Sequence, residues 1–145
     1  MRHLLAIPLA SFLILTACDA PSQAPGVRVE DARITLPAVN GRPGAAYFNI
    51  TATGADARIT GVTSPRVQRM ELHESMVDGM GPLRDATLPA GSTVSFAPGG
   101  KHAMLFGIDP SLQVGERVPI VVAFNQAPAV TVQAEVQGPG GGNAH

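Results

Sequence analysis

Short runs in which apolar and polar residues alternate recur along the chain, about ten residues apart. They are rich in β-branched and aromatic residues, are separated by Gly, Pro, Asn and Asp, and read VRVEDARITL, AAYFNIT, ARITGVTS, RMELHES, STVSFAP, AMLFGI, RVPIVVAF and AVTVQAEV. A period of two places alternate side chains on opposite faces of a strand, and no run keeps the longer period of a helix. The pattern predicts an all-β fold, an antiparallel barrel or sandwich of about eight strands and of Greek-key type.

The amino terminus departs from this pattern. Residues 1–17 have a basic start at Arg2 and an apolar run from Leu4 to Leu15. This is the layout of a secretory signal peptide, and the run is too short to be a comfortable membrane span. We therefore predict a signal peptide over residues 1–17 and exclude it from the fold.

A single cysteine follows this segment. Leu15-Thr16-Ala17-Cys18 is similar to the lipobox of bacterial lipoproteins, in which the cysteine is acylated, although an ordinary signal peptide with an incidental cysteine is the alternative. Acylation of Cys18 would attach the protein to a membrane by its lipid anchor alone. Asp19 resembles an inner-membrane retention signal, so we predict a periplasmic protein of the bacterial cell envelope, anchored to the inner membrane.

Composition limits the rest of the chain to one domain. The 145 residues are 45% hydrophobic and 14% charged, which is typical of a single packed domain. We predict a tether that includes the lipidated cysteine over residues 18–26, a folded domain over residues 27–137 and a mobile glycine-rich tail over residues 138–145. Cys18 is the only cysteine, so the domain has neither a thiol nor a disulfide. Without a basic stripe we expect no nucleic-acid partner, and we expect a monomer.

Histidine and methionine occur together twice within the domain. His102 and Met104 are two residues apart, so both side chains lie on one face if this segment is a strand. His73 is followed by Asp78-Gly79, a hairpin-turn signal, and then by Met80 on the returning arm. The two segments therefore provide two halves of one candidate metal site.

Other residues leave alternatives open. Met76 lies at the hairpin tip and is an alternative or auxiliary thioether, and His145 on the tail is a further auxiliary ligand. Each of these residues also has an interpretation without metal, because methionine commonly fills cores and a histidine on a strand is commonly only solvated.

The chemistry of these side chains favours Cu(I). Thioether sulfur is soft and uncharged and imidazole is borderline, so two methionines with one or two histidines suit Cu(I) better than zinc, calcium or magnesium. A blue-copper electron carrier is excluded because it needs a cysteine thiolate. The sequence has no recognisable acid–base pair or nucleophilic triad, so we do not predict an enzyme.

The spacing of these residues resembles a known signature. In the periplasmic copper chaperones of the PCuAC family, a His is followed by ten residues, a Met, twenty-one residues and His-x-Met. Here twenty-one residues separate Met80 from His102, and His102-Ala103-Met104 completes the pattern. The flanking stretches ELHE, MGPLRDATLPAGSTV and PGGKHAML are also similar. Only six residues separate His73 from Met80, an even-numbered shortening that keeps both side chains on one face of a hairpin.

The resemblance implies a cupredoxin-like fold and an exposed Cu(I) site formed by His73, Met80, His102 and Met104. It also implies delivery of copper to copper-accepting proteins, especially the CuA site of cytochrome c oxidase. Two other functions stay open from the sequence, namely a copper-sequestering resistance lipoprotein and a structural lipoprotein without metal.

Overall fold

The computed structural model describes residues 26–140, and its regular structure there is entirely β. The ten strands are β1 (Gly26–Thr35), β2 (Gly44–Thr53), β3 (Ala57–Thr63), β4 (Val67–Met76), β5 (Gly79–Pro82), β6 (Thr87–Leu88), β7 (Thr93–Phe96), β8 (Lys101–Ile108), β9 (Arg117–Phe124) and β10 (Val130–Gln137). No helix that could cross a membrane occurs within the described range. The predicted signal peptide, the predicted lipidation site Cys18, most of the predicted tether and the end of the predicted tail lie outside the described residues.

The all-β prediction is confirmed, with two strands more than the eight predicted runs. The additional strands are β5 and β6, of four and two residues. The sequence of β5, Gly-Met-Gly-Pro, has no β-branched residue, so propensity alone does not predict a strand there. It becomes one because the preceding hairpin turn holds it against β4.

Strand pairing is mainly antiparallel, with two parallel exceptions. The order across the sheet is β5-β4-β8-β7-β2-β1-β10-β9-β3-β6, and β8 also pairs with β2. The parallel pairs are β1 with β10 and β7 with β8. The first joins strands from the two ends of the domain, where no hairpin dictates an antiparallel direction. The predicted antiparallel arrangement therefore holds for every strand pair of the described residues except these two.

The sheet curls around a single hydrophobic core. Leu105 on β8 and Ile120 on β9 are both fully buried in one cluster, together with the stacked rings of Phe48 and Phe96. Along the shortest hydrogen-bonded path, β8 and β9 are four strand spacings apart, which would be about 19 Å in a flat sheet. Sharing a core therefore requires the sheet to bend over itself. Its two edges, β5 and β6, do not pair with each other within residues 26–140, so the barrel stays open.

The pairing of β4 with β8 positions the candidate site. On the inner face of this pair, Met70 lies opposite Leu105 and Leu72 opposite Ala103, and all four side chains pack in or against the core. The alternate positions of both strands necessarily point outward. The register of β4 and β8 therefore determines which side chains meet on the outer face.

Candidate metal centre

The two predicted histidines lie side by side on the outer face of β4 and β8. His73 is paired in register with His102, and the centroids of their rings are 6.1 Å apart. Each is flanked on its strand by a residue that points into the core, which turns both imidazoles outward. Residues far apart in sequence are thus brought together by strand pairing.

Met80 shares this face, whereas Met76 does not. The β4–β5 register places Met80 opposite Ser75, which is two residues from His73 and therefore on the same face. Met76 is next to Ser75 on β4 and therefore points to the other face. There its terminal methyl lies over Gly81, since a Cβ added to Gly81 would be 2.2 Å from Met76 Cε. The hairpin therefore presents Met80 beside the histidines, with 59% of its surface exposed.

Met104 is half-buried on the same face of β8. It lies opposite Glu71 on β4 and opposite Ala45 on β2. A surface cavity is lined by Met104, His102 and Met80 together, and Pro37, Pro43 and Tyr47 also line it. Three of the four predicted ligands therefore line one cavity, and His73 lies next to it as the strand partner of His102.

His102 is held by the backbone of the preceding turn. Its side chain is buried, with the residue 6% exposed, and Nδ1 lies 2.9 Å from the carbonyl oxygen of Gly100. A carbonyl can only accept, so Nδ1–H donates and Nε2 keeps its lone pair. The turn that brings this carbonyl into place contains Gly99 at φ +80°, a conformation that favours glycine.

His73 is held by a side chain instead. Its Nε2 lies 3.3 Å from Oε2 of Glu71, a carboxylate that accepts the hydrogen bond from Nε2–H. Its Nδ1 is buried and has no hydrogen-bond partner among residues 26–140. An unpartnered buried polar atom typically costs about 1–3 kcal/mol, so it needs a physical reason. A buried nitrogen with a free lone pair, on a ring whose centroid lies 6.1 Å from that of a second imidazole, is the kind of group that binds a metal ion.

The candidate donors on this face include sulfur. Across the described part of the chain, no three His, Cys, Asp or Glu side chains converge as a metal site would require. Two imidazole nitrogens are available here, and the thioethers of Met80 and Met104 are the neutral, soft donors on the same face. Cys18 and His145 lie outside the described residues, and their roles stay predictions.

Two residues beside the site were not predicted to contribute. Glu71 precedes His73 by two residues, so the alternation of a strand already places it on the same face. Tyr47 reaches the cavity from β2, and the Arg33 guanidinium lies 5.0 Å from the centre of its ring. No local sequence signal identifies Tyr47, because its position depends on the pairing of β2 with β8.

Comparison with known proteins identifies the family. The family model described as "Putative lipoprotein LpqE-like" matches residues 27–136. The chain belongs to the LpqE-like family. A relative named "Putative lipoprotein Lxx21020", from Leifsonia xyli subsp. xyli, is 30% identical over 156 residues, covering 98% of this chain and 94% of the relative.

Solved structures share the fold of this LpqE-like chain. A copper-bound PCuAC domain from PmoF2 superimposes with a TM-score of 0.68 at 24% identity, covering 78% of this chain and 93% of that domain. The solution structure of CuI-DR1885 from Deinococcus radiodurans gives a TM-score of 0.67 at 28% identity, covering 83% of this chain and 85% of that one. The predicted cupredoxin-like fold and the resemblance to the PCuAC family are thereby confirmed.

Proposed function

We propose that this LpqE-like protein is a Cu(I)-binding metallochaperone of the bacterial cell envelope. Its ligands are His73, Met80, His102 and Met104. The observation that supports this assignment most strongly is the buried, unpartnered Nδ1 of His73 beside His102. Two imidazoles bound to one metal ion at about 2 Å have ring centroids roughly 5–6 Å apart, close to the separation in this pair.

The chemistry of the donors favours Cu(I) as the cargo. All four groups bind metal in their neutral forms, and neither a thioether nor a neutral imidazole has to lose a proton to bind. Soft thioethers select Cu(I), whereas calcium and magnesium need oxygen ligands and zinc prefers thiolate, imidazole and carboxylate. The proposal agrees with two similar structures, a copper-bound PCuAC domain from PmoF2 and the CuI form of DR1885.

Unequal exposure of the ligands fits a carrier rather than an enzyme. His102 is almost completely buried, whereas Met80 is exposed at the edge of the sheet on the short strand β5. An acceptor can therefore reach the ion from the Met80 side and replace this ligand first. A long-term store would gain from enclosing all its ligands, so the exposure supports delivery over sequestration.

The proposed destination is a copper-accepting protein of the envelope, with the CuA site of cytochrome c oxidase as the first candidate. Membrane attachment through lipid at Cys18 would keep the carrier at the inner membrane, where such acceptors lie. Deleting the gene under copper limitation tests this step. Lost oxidase assembly is the expected result, whereas copper sensitivity with normal oxidase assembly would replace delivery by sequestration.

An anaerobic titration tests copper binding itself. The chain from Asp19 to His145, which keeps all ten strands, would compete for Cu(I) with a coloured chelator. We expect one ion per chain, and weaker binding after His73→Ala or His102→Ala. Met70→Leu, a change on the inner face of β4, is the matched control and should leave affinity unchanged. A wild-type chain that cannot compete would reject the metal-binding function and favour a structural lipoprotein.

A further inference from the structure

Glu71 contacts His73, a predicted copper ligand, but is not itself a predicted ligand. Its Oε2 lies 3.3 Å from His73 Nε2, and its Oε1 lies 2.5 Å from Nη1 of Arg69. The two carboxylate oxygens are thus divided between an imidazole on one side and a guanidinium on the other. The carboxylate bridges the two side chains.

This bridge is itself anchored to the neighbouring strand. Arg69 is paired with Phe106 on β8, and its guanidinium lies 4.3 Å from the centre of the Phe106 ring, within the range of a cation–π contact. Arg69, Glu71 and His73 occupy alternate positions of β4 and therefore share its outer face. The Glu71 carboxylate is consequently held from the side away from the histidine.

We infer that Glu71 is a positioning residue that fixes His73 in the orientation and tautomer needed to bind Cu(I) through Nδ1. This inference rests on the proposed function. A carboxylate accepts but does not donate when ionised, so it requires the proton of His73 on Nε2 and leaves the lone pair on Nδ1. The hydrogen bond also limits rotation of the ring.

The two histidines achieve the same end by different means. The Gly100 carbonyl fixes His102 through Nδ1, so that residue offers Nε2. Glu71 fixes His73 through Nε2, so that residue offers Nδ1. Because a backbone carbonyl cannot be removed by substitution, only the His73 arrangement can be dissected by changing one side chain.

Glu71→Ala and Glu71→Gln separate the hydrogen bond from the charge. Outer-shell partners of metal-bound histidine typically contribute 10–100-fold to affinity, and we expect a Cu(I) loss of about that size in Glu71→Ala. Glu71→Gln keeps an acceptor oxygen and should recover part of the affinity. Glu74→Ala is the matched control. Glu74 is adjacent to His73 in sequence and has the same charge as Glu71, but its side chain lies on the other face of β4. There it accepts a hydrogen bond from the backbone N–H of Arg84 at 3.5 Å. The Cu(I) affinity of Glu74→Ala should stay at the wild-type value.

A second readout needs no copper. Proton–nitrogen NMR correlations of the His73 ring in the metal-free protein report which nitrogen is protonated and how fast that proton exchanges. In the wild type we expect a protonated Nε2 with slow exchange. Glu71→Ala should accelerate exchange, and Glu71→Gln should restore it in part. A fold that is intact in each variant would be verified by the methyl region of the same spectra.

Three outcomes would overturn the inference alone. Cu(I) affinity unchanged in Glu71→Ala would show that His73 needs no positioning, and an equal loss in Glu74→Ala would assign the effect to charge alone. A wild-type His73 protonated on Nδ1 would contradict the tautomer. If the wild type binds no Cu(I) at all, the proposed function fails with the inference, whereas normal wild-type binding with an unaffected Glu71→Ala variant removes only the inference.

Discussion

At the scale of single residues, the candidate site combines two hydrogen-bonded imidazoles with an exposed thioether. Both histidine side chains are largely buried, and each is hydrogen-bonded through one ring nitrogen. Met80 is exposed on the shorter arm of its hairpin, β5. Strand alternation in the sequence predicts which residues share a face, including Glu71. It does not reveal which ring nitrogen is free, because that depends on the Gly100 carbonyl and the Glu71 carboxylate.

Substitution of the two hairpin methionines should have unequal effects. Met80→Leu removes a thioether from the histidine face, and we expect Cu(I) affinity to fall by more than the roughly 10–100-fold typical of an outer-shell change. Met76→Leu alters a side chain on the opposite face and should leave affinity unchanged. Chelator competition measures both. Equal weakening, or weakening in Met76→Leu alone, would show that the hairpin register differs from the one described.

At the scale of elements, sequence alternation predicts the long strands but not all their partners. The eight predicted runs correspond to the eight strands other than β5 and β6. Those two are short edge strands, whose formation depends on a neighbour rather than on their own residues, and short edges limit pairing with other chains. The parallel pairing of β1 with β10 joins the two ends of the domain, and no local pattern encodes it.

Close packing of β2 against its neighbours makes Gly44 sensitive to substitution. A Cβ at Gly44 would lie 2.8 Å from the backbone oxygen of Thr35 and 2.7 Å from Cδ1 of Ile108. The oxygen belongs to a paired strand and cannot easily move, so we expect Gly44→Ala to lower the free energy of unfolding by about 1–3 kcal/mol.

Denaturant unfolding measures this effect, with Gly61→Ala as the control. Gly61 lies on β3, and no atom lies within 4 Å of the position of an added Cβ. Its substitution should be neutral, or stabilising by about 0.4–1 kcal/mol. Equal stability of the two variants would contradict the close approach of β1 to β2 at Gly44.

At the scale of the whole molecule, a polar cluster links the β3–β4 loop to the segment that follows β8. Asp109, after β8, accepts a 2.8 Å bond from Nε of Arg66, which lies between β3 and β4. The hydroxyl and backbone N–H of Ser111 also donate to it, at 2.7 Å and 2.9 Å. These hydrogen bonds hold the pKa of Asp109 below its ordinary value. The bonds from Ser111 contribute most, followed by the bond from Arg66.

The lowered pKa of Asp109 predicts a pH-dependent contribution to stability. A carboxylate with a lowered pKa in the fold stabilises it above the ordinary value of about 3.9, and this contribution is lost as the pH falls through the lowered pKa. Asp109→Asn should therefore destabilise the protein at neutral pH, with the difference from wild type shrinking in acid. Ser111→Ala should show a smaller effect of the same sign. Denaturant unfolding across this pH range measures both, and a difference independent of pH would contradict the assignment.

The central claim is that two histidines and two methionines converge on one copper ion. Copper X-ray absorption of the Cu(I)-loaded chain measures this most directly, because sulfur and nitrogen neighbours scatter differently. We predict two imidazole nitrogens and two sulfurs in the wild type, and one sulfur in Met80→Leu. A first shell without sulfur, or a sulfur count that Met80→Leu leaves unchanged, would contradict the account.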